Sequence, residues 1–220
     1  MIINSSSGTE LFVSWSGGKD AYLSLVKMLE RGFSIKALLC FISPEGESRS
    51  HGLKKTIIER QAEMLDIALD TEEVTWESYH EGFRRAVERL KRQGMKGGVF
   101  GDINLEDHRL WVEEACLECG IESNLPLWGT DEAMLLKDLI QRQAEMVIVS
   151  VRNDLVSEDW LGEKIDCSYL KYCEEKQLSP CGENGEIHTL VVNGPFFRAP
   201  LQYNLVGVER FENYSRLVIS

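Results

Sequence analysis

Apolar positions along the chain fall alternately into short continuous runs and helical stripes. The run "LFVSW" at 11–15 is short and β-rich, whereas 19–32 spaces Ala21, Leu25, Met28 and Leu29 at helical intervals and stops at Gly32. The near-continuous run "IKALLCFI" at 35–42 predicts a strand buried on both faces of a parallel sheet. The alternation continues with a helix over 53–69, a strand over 72–76, a helix over 81–94 and a strand over 97–102. A helix over 108–120, a short strand over 121–125, a helix over 131–143 and a strand over 146–151 complete it. Such β-α alternation predicts an α/β fold with a doubly wound, mostly parallel sheet and right-handed crossovers. Beyond Val151 the pattern shortens: "CGENGEIHTLVVNGPFF" and "LQYNLVGVERFENYSRLVIS" are turn-rich and β-like, which predicts a smaller C-terminal α+β region. The expected division is therefore 1–150 and 151–220. The serine run Ser5 to Ser7 reads as a frayed end.

Composition narrows the function classes. A chain of 220 residues with 43% hydrophobic and 27% charged residues is ordinary for a soluble protein and needs no staples. The formal net charge of -12 argues against a general phosphate-backbone binder, so nucleic acid is not the expected partner, although a nucleotide pocket can be locally positive. The N-terminus has neither a basic n-region nor an apolar h-region, and no apolar run approaches the roughly 18 residues of a spanning helix. The expectation is a cytoplasmic protein with no membrane contact, assembling as a homo-oligomer by the usual default of soluble proteins. Of six cysteines, Cys116 and Cys119 form a C-x-x-C, "CLEC". No second pair accompanies them, so reduced structural thiols are expected.

The chemistry concentrates at the end of the first strand, where ligands bind in doubly wound sheets. "SWSGGKDA" lacks the G-x-x-x-x-G-K-[ST] of a Walker A loop and the G-x-G-x-x-G of a dinucleotide loop. It offers instead a tight turn at Gly17 and Gly18, hydroxyls at Ser14 and Ser16, the cation of Lys19 and the magnesium-competent carboxylate of Asp20.

This S-G-G-K-D loop resembles the PP-loop of ATP pyrophosphatases with the adenine nucleotide alpha hydrolase-like fold. Two further blocks, "GVFGDINLEDHRLWVEEACLECGIESNLPLWG" (98–129) and "CGENGEIHT" (181–189), resemble the diphthine-ammonia ligase family within that group. The resemblance implies an ATP-dependent ligase that adenylates a substrate carboxylate, releases pyrophosphate and passes the acyl group to ammonia, with ATP and Mg²⁺ as cofactors and elongation factor 2 as a protein substrate. It implies nucleotide contacts from Ser14, Ser16, Gly17, Gly18, Lys19 and Asp20, with Asp20 on the metal, and a facing wall from Gly101 and Asp102. Lys19, Asp20 and His108 are the implied catalytic residues, His108 either contacting the acyl phosphate or bracing the loop. Arg109, Glu183, Asn184, Glu186 and His188 fall on the substrate side. Trp111 and Trp128 read as core aromatics.

The chain departs from the family's pattern at two positions. Ala21 stands where PP-loops usually carry a serine, which removes one phosphate-facing hydroxyl. Ile187-His188 stands where members acting on diphthine carry an aromatic and a glutamate, which changes what the pocket recognises. The readings left open are a PP-loop pyrophosphatase acting on another small molecule or on RNA, and a nucleotide-binding sensor.

Overall fold

The computed structural model describes residues 8–220; the serine run lies outside them. A five-stranded sheet is built from β1 (Glu10–Ser14), β2 (Ser34–Ile42), β3 (Ala68–Glu73), β4 (Gly97–Val99) and β5 (Glu122–Asn124). Its order is β3-β2-β1-β4-β5 and every pairing is parallel. The helices α1 (Lys19–Glu30), α2 (Lys55–Leu65), α3 (Tyr79–Arg92) and α4 (Glu106–Cys119) make the crossovers, and α5 (Glu132–Gln141) follows β5. The strand order reverses between β1 and β4, and a crevice opens there beyond their carboxyl ends.

Period-two alternation on the central strands divides the core into two layers. Leu11, Val13, Leu38, Cys40 and Ile42 pack with α1 and α2, while Phe12, Ala37, Leu39 and Phe41 pack with α3 and α4. Cys116 and Cys119 lie buried in the second layer as free thiols, and burial pushes Cys116 up to about 12 and Cys119 upward as well. Neither is a thiolate at neutral pH, which fits a structural role.

A second, antiparallel sheet contains β6 (Glu145–Arg152), β7 (Ile187–Asn193), β8 (Leu205–Arg210) and β9 (Tyr214–Ile219), in the order β7-β6-β9-β8. Its buried residues Val147, Val149, Val151, Leu190 and Val192 join the α1/α2 layer, so the two sheets share one core.

Two elements differ from the sequence expectation, and a third fills it in. The helix expected to reach residue 69 ends at Leu65, because Asp66 takes a left-handed conformation (φ 55°) that turns the chain into β3 at Ala68. The apolar strand at 146–151, read as the last of the parallel series, belongs to the antiparallel sheet. A continuous apolar run marks burial on both faces without marking the partner's direction. The stretch Cys167–Lys176, inside the expected C-terminal α+β region and ahead of its β-like stretches, is a helix, α6, started by the Asp166 carboxylate, which accepts from the Ser168 and Tyr169 amides.

Candidate functional site

The turn from β1 into α1 forms the centre of the site. Gly17 has φ +83°, a left-handed conformation that favours glycine, and an added Cβ would lie 2.8 Å from Ile58 Cδ1. The Gly18 amide donates to Ser16 Oγ at 3.2 Å, which closes the turn before α1 begins. Gly101, just past β4, approaches the first turn of α1 so closely that a Cβ there would sit 3.0 Å from the Ala21 nitrogen. The start of α1 lines the crevice through Asp20 and Ala21, so the positive end of the helix dipole faces it.

Strand β7 holds this turn from behind. The Val191 amide donates to the Gly17 carbonyl at 3.0 Å, and the Lys19 amide donates to Thr189 Oγ1 at 3.1 Å. Gln61 of α2, fully buried, donates to the Gly17 carbonyl (2.9 Å) and the Val191 carbonyl (2.7 Å) and accepts from Trp15 Nε1 (2.8 Å). Lys19 is turned into the protein: its Nζ donates to Asp20 Oδ2 at 2.7 Å and to the Cys181 carbonyl. Burial works against both charges of this pair. The Asp20 carboxylate nonetheless keeps Lys19 above its ordinary value, while burial, opposed by Lys19 and reinforced by Glu132, pushes Asp20 up.

Three connected cavities meet at the segment 48–51. The smallest, about 200 Å³, lies at the turn and is lined by Ser14, Ser16, Asp20, Ala21, Gly101 and Asp102. An aromatic chamber of about 360 Å³ opens on one side, lined by Phe41, Trp76, Tyr79, Phe83, Phe100 and Trp111, with Asp102 and His108 also on its wall. A polar chamber of about 430 Å³ opens on the other, between the 43–52 segment and the second sheet. His51 and His188 stack in its wall with ring centroids 4.6 Å apart. His51 Nδ1 donates to the Thr189 carbonyl at 2.9 Å, which sets its tautomer, and its ring covers Gly18, whose Cβ would come within 2.2 Å of it. Burial holds both imidazoles below their usual value, His188 at about 4, so both are neutral at pH 7.

The expected residues separate by place. Ser14, Ser16, Asp20, Gly101 and Asp102 converge on the central cavity. His108 is largely exposed, with Nδ1 3.5 Å from Asp102 Oδ1, and lies on the aromatic side. Arg109 points elsewhere, pairing with Glu106 and Glu113 and lying 5.2 Å from the Trp128 ring centroid. Glu186 is buried, and its carboxylate accepts from the Ser179 amide (3.2 Å), the Asn184 amide (2.9 Å) and Asn184 Nδ2 (3.1 Å), so it builds its own loop. Glu183 is half-buried, and burial together with Asp20 pushes it to about 7. Of the substrate-side residues, His188 lines the polar chamber.

Sequence reading passed over Gln61, His51, Arg49 and Glu132. Glu132 Oε2 accepts from the Cys181 amide at 2.9 Å, and its Oε1 accepts from Asn104 Nδ2 at 2.8 Å, which fixes the 179–186 loop on α5. Gln61 did leave a signal: it is the one polar residue on the apolar stripe Ile57, Ile58, Ala62 and Leu65 of α2.

For a metal, no group of three or more ligating side chains assembles among the described residues. Asp20 and Asp102 nevertheless face the same small cavity, and burial raises both, Asp102 with a further push from the Asp20 charge. Such a pair fits Mg²⁺, which takes one or two carboxylates plus phosphate oxygens and keeps several waters.

Comparison with known proteins agrees in extent with this architecture. The family description "Diphthamide synthase N-terminal domain" matches residues 9–123, and "Diphthamide synthase C-terminal domain" matches 131–216. Diphthine–ammonia ligase of Schizosaccharomyces pombe is 24% identical over 206 residues, covering 83% of this chain and 34% of the relative. The proteins of the same name from Danio rerio and Homo sapiens are each 24% identical over 209 residues, covering 83% of this chain and 82% and 78% of their own lengths. The chain thus spans about a third of the fission-yeast relative and about four fifths of the two vertebrate ones.

Proposed function

The chain belongs to the diphthamide synthase family, and from that premise we propose that it is an ATP-dependent ligase that adenylates a substrate carboxylate and amidates it with ammonia. The observation that carries the reading is the small cavity at the β1–α1 turn, faced by Ser14, Ser16, the start of α1 and the Asp20 and Asp102 carboxylates, between two larger chambers. The curated relatives' name supplies diphthine and ammonia as substrates, and we take diphthine on elongation factor 2 as the acceptor, in the cytoplasm.

The aromatic chamber suits the adenine, which stacks well on aromatic faces. The central cavity suits the phosphates, and the polar chamber suits the acceptor. A carboxylate oxygen attacks the α-phosphorus, the Pα–O–Pβ bond breaks, and pyrophosphate leaves with the electron pair. Ammonia then displaces AMP from the acyl carbon. Ser14, Ser16, the Gly17 and Gly18 backbone and the α1 start would stabilise the charge developing on pyrophosphate. Mg²⁺ would be held by Asp20 and Asp102 and would neutralise phosphate charge. Lys19 would act by tying the turn to Asp20 and Cys181 and by lending its positive charge to the phosphate side. In this division residues 1–150 supply the nucleotide site, and 151–220, facing the 43–52 segment, supply acceptor recognition. Glu183 and Asn184 would flank that acceptor side, and assembly as a homo-oligomer is checked by light scattering.

Incubation with ATP, Mg²⁺, ammonium and diphthine-bearing elongation factor 2 tests the reading. Pyrophosphate release that requires the acceptor, with conversion of its carboxylate to a carboxamide seen by mass spectrometry, is expected. Nucleotide binding without any pyrophosphate release sinks it. The matching variant is Asp20→Asn, which keeps a hydrogen-bond acceptor for the buried Lys19 ammonium where alanine would strand it. A loss of about 10²-fold or more in turnover is expected.

A further inference from the structure

The polar chamber carries three arginines, and they are not equivalent. Arg216 is held by Glu47 through both terminal nitrogens (2.8 and 3.1 Å) and by Glu209 through Nε (2.7 Å). Arg152 is held by Asp154 (2.9 and 3.1 Å) and donates to the Asn184 carbonyl (3.0 Å). Arg49 forms no ion pair among the described residues, and its Nε is buried with no hydrogen-bond partner. Glu45 and Glu77 feel its charge without bonding to it.

Its placement is fixed. The Arg49 amide donates to the Phe41 carbonyl at 2.9 Å, which anchors the residue at the end of β2. Its guanidinium carbon lies 4.3 Å from the Trp76 ring centroid, and Trp76 is itself 69% exposed. Stacking on the ring orients the guanidinium plane and leaves its N–H edge uncommitted. Arg49 lines the wall shared by the aromatic and polar chambers, whereas the central cavity is lined by its neighbours Ser48, Ser50 and His51. Arg49 is therefore open to an oxyanion in the polar chamber without lining the cavity given to the phosphates.

We infer that Arg49 binds the acceptor's carboxylate. A planar, uncommitted fork matches a carboxylate, and on a chain of net charge -12 it marks one place built for an anion. Resting on the ligase reading, the assignment specifies its first step. Arg49 holds one carboxylate oxygen while the other turns to the α-phosphorus; the O–Pα bond forms, the Pα–O–Pβ bond breaks, and Arg49 transfers no proton.

The test compares wild type with Arg49→Gln and Arg49→Lys, using acetate and free diphthine as probes and a non-hydrolysable ATP analogue as control. Trp76 emission reports the stack and is titrated with acetate against chloride at constant ionic strength. A saturable change is expected in wild type. It should weaken about tenfold or more in Arg49→Gln and less in Arg49→Lys, which keeps the charge and loses the fork. Affinity for the ATP analogue should stay within about twofold. No response to acetate in wild type, an unaltered titration in Arg49→Gln, or a loss confined to the ATP analogue overturns the assignment. If acetate binds through Arg49 and diphthine does not bind at all, the assignment stands and the acceptor named above falls.

Discussion

The 14–20 turn and the 179–189 segment meet at Lys19, Thr189 and Cys181, yet they use polar residues in opposite ways. In the first, Ser14, Ser16 and Asp20 face a cavity, and the backbone behind them is held by other elements. In the second, Glu186 is turned inward and bonded to its own loop, and only Glu183 remains poorly compensated. A carboxylate's presence in a motif therefore says little about its role. Whether protein N–H groups already satisfy it separates scaffolding from chemistry.

The contrast breaks most sharply at Gln61, the residue that holds the two segments together. Gln61→Leu leaves the Val191 carbonyl and the Trp15 indole N–H without partners and removes one of two donors to the Gly17 carbonyl. Each buried group left unpaired costs about 1–3 kcal/mol, so a loss of about 3 kcal/mol in urea-unfolding stability is expected. The KM for ATP should also rise, because the glycine backbone loses its support. Unchanged stability would mean that the β7 ladder alone holds the turn.

The two glutamates sharpen the comparison with effects of opposite sign. Glu186→Gln exchanges a charged acceptor of three N–H bonds for a neutral amide, a destabilisation of about 2 kcal/mol. Glu183 sits at about 7 in the folded protein, above an unfolded carboxyl, so the native state binds the extra proton and stability falls as pH rises from about 4.5 through 7. In nucleotide-free protein, Glu183→Gln should remove that loss and stabilise by about 1 kcal/mol at pH 8, a figure reduced for the side chain's partial exposure. Thermal melts of both variants at pH 8 check the signs, and a shared sign would end the distinction.

Much of this was legible in the sequence, and the illegible part has a common physical cause. The α/β alternation, the glycine turn and the Asp20 placement follow from local pattern: strand run, breaker, helix stripe; the Asp102 placement follows from the family resemblance. The direction of β6 did not follow, because burial on both faces looks alike in parallel and antiparallel sheets. Nor did the inward turn of Glu186 or the separation of Arg109 from the cleft. Both depend on partners close by in the chain, but equally on which face of a loop or helix the tertiary fold exposes. Gln61 and Arg49 act across 130 residues and across a cavity wall respectively, which no local window contains.

His188 gives the finest test of the difference between the two segments, since it stands in the second and leans on the lid of the first. Its folded value of about 4 reflects burial and then the nearby Lys19 charge, and the stacked His51 is depressed for the same reasons with His188 added. A histidine depressed in the fold binds its proton more readily when unfolded, so its contribution is fully present above about pH 6.5 and is lost as pH falls toward 4. His188→Asn removes one titrating group while keeping a polar side chain. The variant should therefore lose about 2 kcal/mol less stability than wild type between pH 6.5 and 4. Urea midpoints across that window measure it, and parallel pH slopes in the two proteins would show that His188 is already protonated, with its stack on His51 open to water.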